Sequence, residues 1–97
     1  MLTNFRTYQL SKELYRKCKP IRLPHFLKLQ LMRASSSISL NLAEGSARQS
    51  EKDRRRFYNI AFASLREVQA IIDLEQLGTL YKQADKLGAH LYRLTKS

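Results

Sequence analysis

The sequence predicts an all-α fold: one domain over residues 1–97, built as an antiparallel up-down-up-down four-helix bundle. Three observations predict it. Apolar residues recur at steps of three and four in four separate stretches, the period of a helix that buries one side. Glycine and proline together number five, and both prolines, Pro20 and Pro24, fall in one short linker. Helix breakers therefore cluster where a helix must end. The links between periodic stretches are short, which makes sequence neighbours pack antiparallel. A chain of 97 residues buries roughly 60–70% of its unfolded surface, enough for one modest core.

The first helix is expected from about Asn4 to Lys19, capped by Thr3 or Asn4. Leu10, Leu14 and Cys18 form its core stripe, which Phe5, Tyr8 and Tyr15 widen. Pro20 and Pro24 end it, and the first turn of the second helix tolerates proline near Pro24 to Phe26. The second helix is the one on which the rest is organised. Leu27, Leu31, Ala34, Ile38 and Leu42 share one face, and beside them runs a polar line of Gln30, Arg33, Ser37, Asn41 and Glu44. A helix with two ordered stripes has neighbours on more than one side. Its serines, Ser35, Ser36, Ser37 and Ser39, are small enough for another helix to approach closely, and Gly45 suits a left-handed C-cap.

Ser50 and Asp53 have the spacing of a capping box, so the third helix starts there and is expected to reach about Gln76, ended by Gly78-Thr79. Phe57, Ile60, Ala61, Ser64, Val68, Ile71 and Ile72 cover one arc of it. Tyr58, Phe62 and Leu65 extend that arc past the ~100° a surface helix needs. This surplus predicts an apolar patch at Tyr58, Phe62 and Leu65 and self-association through it. The fourth helix, about Leu80 to Leu94, carries the seam Leu80, Ala84, Leu87, Leu91, Leu94, with Gly88 as a candidate close contact and a frayed basic tail from Arg93. In an antiparallel second and third helix, Glu44 comes near Arg54 or Arg55, and Arg33 near Glu67. Gln30, Arg33, Ser37, Asn41, Glu44 and Glu67 are thus expected to form a structural polar network.

Charge says more about partners than any motif. Eighteen Lys and Arg face eight Asp and Glu, a net of +10. Residues 1–43 carry eight basic side chains against the single acid Glu13. Such an excess on a small body points to a polyanion, most often nucleic acid. The candidate phosphate contacts are Lys12, Arg16, Lys17, Lys19, Arg22 and Lys28 around the first helix and its linker, and Arg48, Arg54, Arg55 and Arg56 at the start of the third. With no strands or aromatic platform of the RNA-recognition-motif kind, binding is expected through the backbone, without sequence reading.

Catalytic chemistry is not signalled. His25 and His90 lack neighbours at metal spacing, Cys18 lies on a core stripe, and the serines have no base beside them. There is no glycine-rich phosphate loop. No enzyme activity, metal or cofactor is expected. No run approaches the ~18 apolar residues of a membrane span. No apolar leader opens the chain, and a lone cysteine fits a reducing compartment, so the expected location is cytoplasmic.

The pattern Gln30-Leu31, Arg33-Ala34, Ser37-Ile38, Asn41-Leu42-Ala43-Glu44-Gly45, Phe57, Ile60-Ala61, Ser64-Leu65, Glu67, Leu77-Gly78 resembles the four-helix-bundle proteins encoded in intervening sequences of 23S ribosomal RNA genes. That broad family includes the accessory variability determinant of diversity-generating retroelements. The likeness runs from Tyr8 to about Leu94. The chain departs at Ala63, where the family usually carries glycine, and in its shorter link before the second helix. The resemblance implies a left-handed bundle, a ring-like homo-pentamer and, in the retroelement branch, nucleic-acid binding beside a reverse transcriptase. The alternative is an oligomeric protein-binding scaffold with no nucleic-acid role.

Overall fold

Four helices carry the chain: α1 (Arg6–Cys18), α2 (His25–Ser46), α3 (Glu51–Leu74) and α4 (Tyr81–Lys96), with a 3₁₀ turn, Gly78–Leu80, leading into α4. The structure, a computed structural model, describes Leu2 and residues 5–96. Among the described residues there is no strand.

α1 begins after Phe5, which offers no side-chain cap. The caps expected at Thr3 or Asn4 lie outside the described residues. Pro24 stands just before α2, as its fixed φ allows. Gly45 is not the cap of α2: the helix continues through it to Ser46, and no glycine has positive φ. Its role is space. A Cβ there would stand 2.7 Å from Tyr58 Cε1 and 3.1 Å from Phe57 Cβ, so only glycine lets α3 lie this close. Ser50 caps α3 as expected, its Oγ accepting from the Asp53 amide at 3.1 Å.

α3 stops at Leu74, two residues short of the expected Gln76 and four before Gly78. Gln76 adopts φ 53°, the Leu77 amide reaches back to the Ile72 carbonyl at 2.9 Å, and the Gln76 amide points to Asp73 O at 3.4 Å. This is a Schellman turn with glutamine in the left-handed position, so Gly78 is not the stop. The 3₁₀ turn buries Leu80 and α4 buries Ala84, Leu87 and Leu91, with Leu94 packed partly against the core; the helix runs to Lys96, past the expected fraying from Arg93. At Gly88 a Cβ would meet Leu65 at 3.5 Å, an ordinary contact, so this glycine is not required by packing.

Each helix packs against its sequence neighbours, and α1 also packs against α4. Between α2 and α3, Ser37 meets Ser64 and Gly45 meets Tyr58: rising numbers on one helix face falling numbers on the next. The core draws Leu10 and Leu14 from α1, Leu31, Ile38 and Leu42 from α2, Ala61, Leu65 and Val68 from α3, and Leu87 and Leu91 from α4.

The wide arc on α3 is absorbed inside the chain. Leu65 is fully buried, Tyr58 is 9% exposed and Phe62 is half-buried, so the expected patch of Tyr58, Phe62 and Leu65 is not on the surface. The reason is that α3 has two neighbours. Phe57 and Ser64 face α2 while Leu65 faces Gly88 of α4, and one helix between two others needs apolar surface on both flanks. The large apolar side chains left exposed include Phe26, Leu29 and Leu40 on α2 and Ile60 and Leu74 on α3.

Candidate nucleic-acid interface

The serines of α2 fasten it on both sides. Ser37 Oγ pairs with Ser64 Oγ on α3 at 2.9 Å, and Ser39 Oγ pairs with Ser11 Oγ on α1 at 2.8 Å. Asn41 Nδ2 donates to Ser37 O at 2.9 Å and to Ser37 Oγ at 3.1 Å. Of the expected polar network, Ser37 and Asn41 are therefore joined, and Ser64 completes them. Glu44 pairs instead with Arg48, one turn on. Arg54 turns its guanidinium to the carbonyls of Arg48 and Gln49, at 2.9 and 2.8 Å, which closes the α2–α3 turn and takes it from Glu44. Arg33 and Glu67 are exposed and make no ion pair among the described residues, and Gln30 is exposed as well. Among the described residues no buried side-chain nitrogen or oxygen lacks a partner.

The α2–α3 turn gathers arginines on an aromatic support. The guanidiniums of Arg48 and Arg56 lie 4.9 and 4.5 Å from the centre of the Phe57 ring. Arg54 and Arg55 share a groove with Glu51, Tyr58 and Leu94. The start of α1 and the end of α4 reach the same end of the bundle, since the Phe5 and Tyr58 rings lie 6.0 Å apart and Leu94 lines that groove. Arg6 and Arg93 thereby join Arg48, Arg54, Arg55 and Arg56. The carboxylates at this end are Glu44, held by Arg48, and Glu51 and Asp53, which sit in the first turn of α3 where the helix dipole favours them.

His90 reports the field between α1 and α4. Its pKa is lowered, first by burial and then by Arg93, Arg6 and Lys86, three cations around one imidazole. The charge pattern along the chain does not single out Arg6, Lys86 and Arg93 as phosphate contacts. Lys86, His90 and Arg93 have helical spacing, a signal legible in the sequence, but Arg6 joins them only through packing.

The basic residues of α1 divide. Arg16 and Arg22 are exposed, and Lys17 contacts Gln83 Oε1 of α4 at 3.3 Å. Lys12 and Lys19 hold their ammonium groups 5.7 and 5.1 Å from the ring centres of Tyr8 and Tyr15. Lys28 is committed elsewhere: its Nζ donates to the carbonyls of Cys18 at 3.3 Å and Lys19 at 2.6 Å, and to Ile21 O. It closes the C-terminal end of α1, where carbonyls lack helical partners, and does not present a free charge.

Burial pushes the Cys18 thiol up to about 11, despite the Ser35 hydroxyl and Lys28, so it stays protonated and inert near neutrality. Between α3 and α4 a groove of about 320 Å³ carries Arg66, Asp73 and Asp85 on its walls. Among the described residues no three His, Cys, Asp or Glu side chains gather as metal ligands would, and no helix is long and apolar enough to cross a membrane.

The family model described as 23S rRNA-intervening sequence protein matches residues 4–97. No curated protein and no solved structure matches. The chain belongs to the 23S rRNA-intervening sequence protein family.

Proposed function

We propose that this member of the 23S rRNA-intervening sequence family is a non-enzymatic, basic, self-associating bundle that holds nucleic acid by its backbone phosphates. The observation that carries the reading is the shortage of internal counter-charge. Eighteen Lys and Arg side chains make one ion pair, Arg48–Glu44, among the described residues. A protein that kept its cations for stability would pair them with its carboxylates. This one leaves most of them without a carboxylate, among them Arg6, Arg55, Arg56 and Arg93 at one end of the bundle. The family's name, taken from an intervening sequence of ribosomal RNA, supports RNA as the nucleic acid. In this reading the helices run up-down-up-down with left-handed winding, and the protein works in the cytoplasm.

Self-association is assigned to the exposed apolar side chains. The Ser37–Ser64 register brings Leu74 to the level of Phe26 and Leu29, which places three large apolar side chains at one height of the α2–α3 face. The resemblance read in the sequence implies five copies and a reverse transcriptase as companion. Light scattering on Leu29→Lys with Leu74→Lys tests the face: the particle mass falls to one chain if it is the interface, and an unchanged mass removes it.

Binding is tested by fluorescence anisotropy with labelled RNA at moderate salt, comparing the natural protein with Arg6→Gln, Arg55→Gln, Arg56→Gln, Arg93→Gln combined. The variant binds more weakly, and its salt slope is shallower by about 0.7 for each single-strand phosphate that it no longer neutralises. Lys82→Gln, on the first turn of α4 at the other end, changes binding little. Unaltered binding by the fourfold variant would move the site elsewhere. No binding by the natural protein would leave a protein-binding scaffold.

A further inference from the structure

Between α1 and α2 lies an open groove of about 290 Å³, lined by Tyr8, Lys12, Tyr15, Ser36, Ser39 and Leu40. Its chemistry differs from that of the arginine end. Tyr8 and Tyr15 are seven residues apart, two helical turns, so they stand on one side of α1 about 10.5 Å apart along its axis. Each is followed four residues later by a lysine whose ammonium sits over its ring, Lys12 at 5.7 Å and Lys19 at 5.1 Å. The same aromatic-plus-cation unit thus occurs twice in register. Both rings are half-buried, so packing holds them while part of each stays reachable.

No carboxylate lines the groove. Glu13, the single acid of residues 1–43, touches Gln83 Nε2 of α4 at 3.3 Å, on the flank of α1 away from α2. The opposite wall is hydroxyl-rich. Ser36 Oγ donates to Arg33 O at 3.0 Å and Ser39 Oγ is paired with Ser11, so both oxygens keep lone pairs free to accept. Flat apolar rings, flexible cations beside them, hydroxyl acceptors opposite and no negative charge are the features a single strand needs. Bases stack on the rings, phosphates meet the ammonium groups, and a ribose 2′-hydroxyl has an acceptor. The ring separation corresponds to about three steps of the ~3.4 Å stacking repeat.

We infer that the α1–α2 groove is a base-stacking site for single-stranded RNA, with Tyr8 and Tyr15 as two platforms and Lys12 and Lys19 as their phosphate partners. The inference deepens the nucleic-acid reading above and rests on it. It adds what phosphate contacts cannot supply: a preference for unpaired bases.

The chain has no tryptophan and five tyrosines, so the share of the tyrosine quench that disappears when Tyr8 and Tyr15 are replaced reports on the platforms. The test titrates the full-length protein with a labelled 12-nucleotide oligouridylate, with the deoxy strand and with a duplex RNA of equal length, at fixed moderate salt. Tyr8→Leu with Tyr15→Leu keeps much of the buried volume and removes the platforms. Tyr8→Phe with Tyr15→Phe keeps both rings. Tyr92→Leu removes an exposed ring that also carries a lysine, Lys96, but lies on α4 outside the groove. Thermal unfolding confirms that each variant folds, and Tyr15→Leu alone, expected to lose affinity several-fold, stands in if the Leu pair does not. The expected result is quenched tyrosine emission with the oligouridylate, tenfold or greater loss of affinity in the Leu pair with an unchanged salt slope, and no more than twofold loss in the Phe pair and in Tyr92→Leu. The deoxy strand and the duplex bind several-fold more weakly than the single-stranded RNA. Natural affinity in the Leu pair, with the steep salt slope intact, overturns the groove and leaves phosphate binding standing. Equal binding of RNA and DNA overturns the hydroxyl assignment, and equal binding of the duplex overturns the stacking.

Discussion

The two flanks of α2 begin alike and end differently. On each, a pair of serine hydroxyls joins α2 to its neighbour, Ser37 to Ser64 of α3 and Ser39 to Ser11 of α1. The α3 flank is then closed: Gly45 gives up its side chain and Tyr58 fills the space. The α1 flank is left open, with Tyr8, Tyr15 and Leu40 around a groove. Tyrosines at one seam act as core and at the other as surface. The residue opposite decides which, glycine admitting a ring and leucine leaving it at the rim. The closed seam serves stability, and the open one is where the proposed contact with RNA is placed.

The largest difference should come from the rings. Tyr58→Ala removes a buried aromatic and should cost about 3–5 kcal/mol, whereas Tyr15→Ala should cost less than about 1 kcal/mol, both read by urea unfolding. Equal costs would erase the contrast between the seams. The glycines sharpen it next, with opposite signs. Gly45→Ala gains about 1 kcal/mol of helix propensity but forces a methyl against Tyr58, for a net loss of about 1–2 kcal/mol. Gly88→Ala gains the same propensity at an ordinary contact distance and should raise stability by about 0.5–1 kcal/mol.

The serines come third. Ser37→Ala strips a partner from Ser64 and from Asn41 and should cost about 1 kcal/mol. Ser39→Ala leaves Ser11 still donating to Tyr8 O at 2.7 Å, so it should cost under about 0.5 kcal/mol. The smallest effect is on pH. His90 is harder to protonate in the folded chain because of burial, Arg93, Arg6 and Lys86. Protonation therefore favours the unfolded state, so this contribution is complete above about pH 6.5 and is lost as pH falls below it. His90→Gln should flatten that slope in thermal melts between pH 7 and 5.

Much of the fold is legible along the chain because it depends on period. The core stripes of α1, α2 and α4 follow from steps of three and four, and Ser50 announces α3. What depends on a third dimension is not legible. The left-handed stop at Gln76 has no glycine to mark it, because the Schellman hydrogen bonds and the Leu77–Ile72 pair stabilise the turn. Gly45 looks like a cap from its place in the sequence and is a packing residue only once Tyr58 lies over it. The arc of Tyr58, Phe62 and Leu65 looks like surplus until α3 is seen between α2 and α4.

The candidate site divides in the same way. Arg48 and the Arg54–Arg56 run are identifiable from charge, but Lys28 and Arg54 hold backbone carbonyls in the folded chain. Arg6 belongs with Arg93 only because α1 and α4 pack together. Tyr8 and Tyr15 have the periodicity of widened core. Their repeated pairing with Lys12 and Lys19 is visible in the spacing, but the groove beside them exists only once α2 is in place.

Cations left without internal partners, and so available to a polyanion, are the centre of the functional reading. The direct test is the affinity of the natural protein for a single-stranded RNA oligomer across a range of salt. With about six phosphates engaged, log K against log salt should fall with a slope of about −4 to −5. A slope near zero, or no binding at low salt, would contradict it.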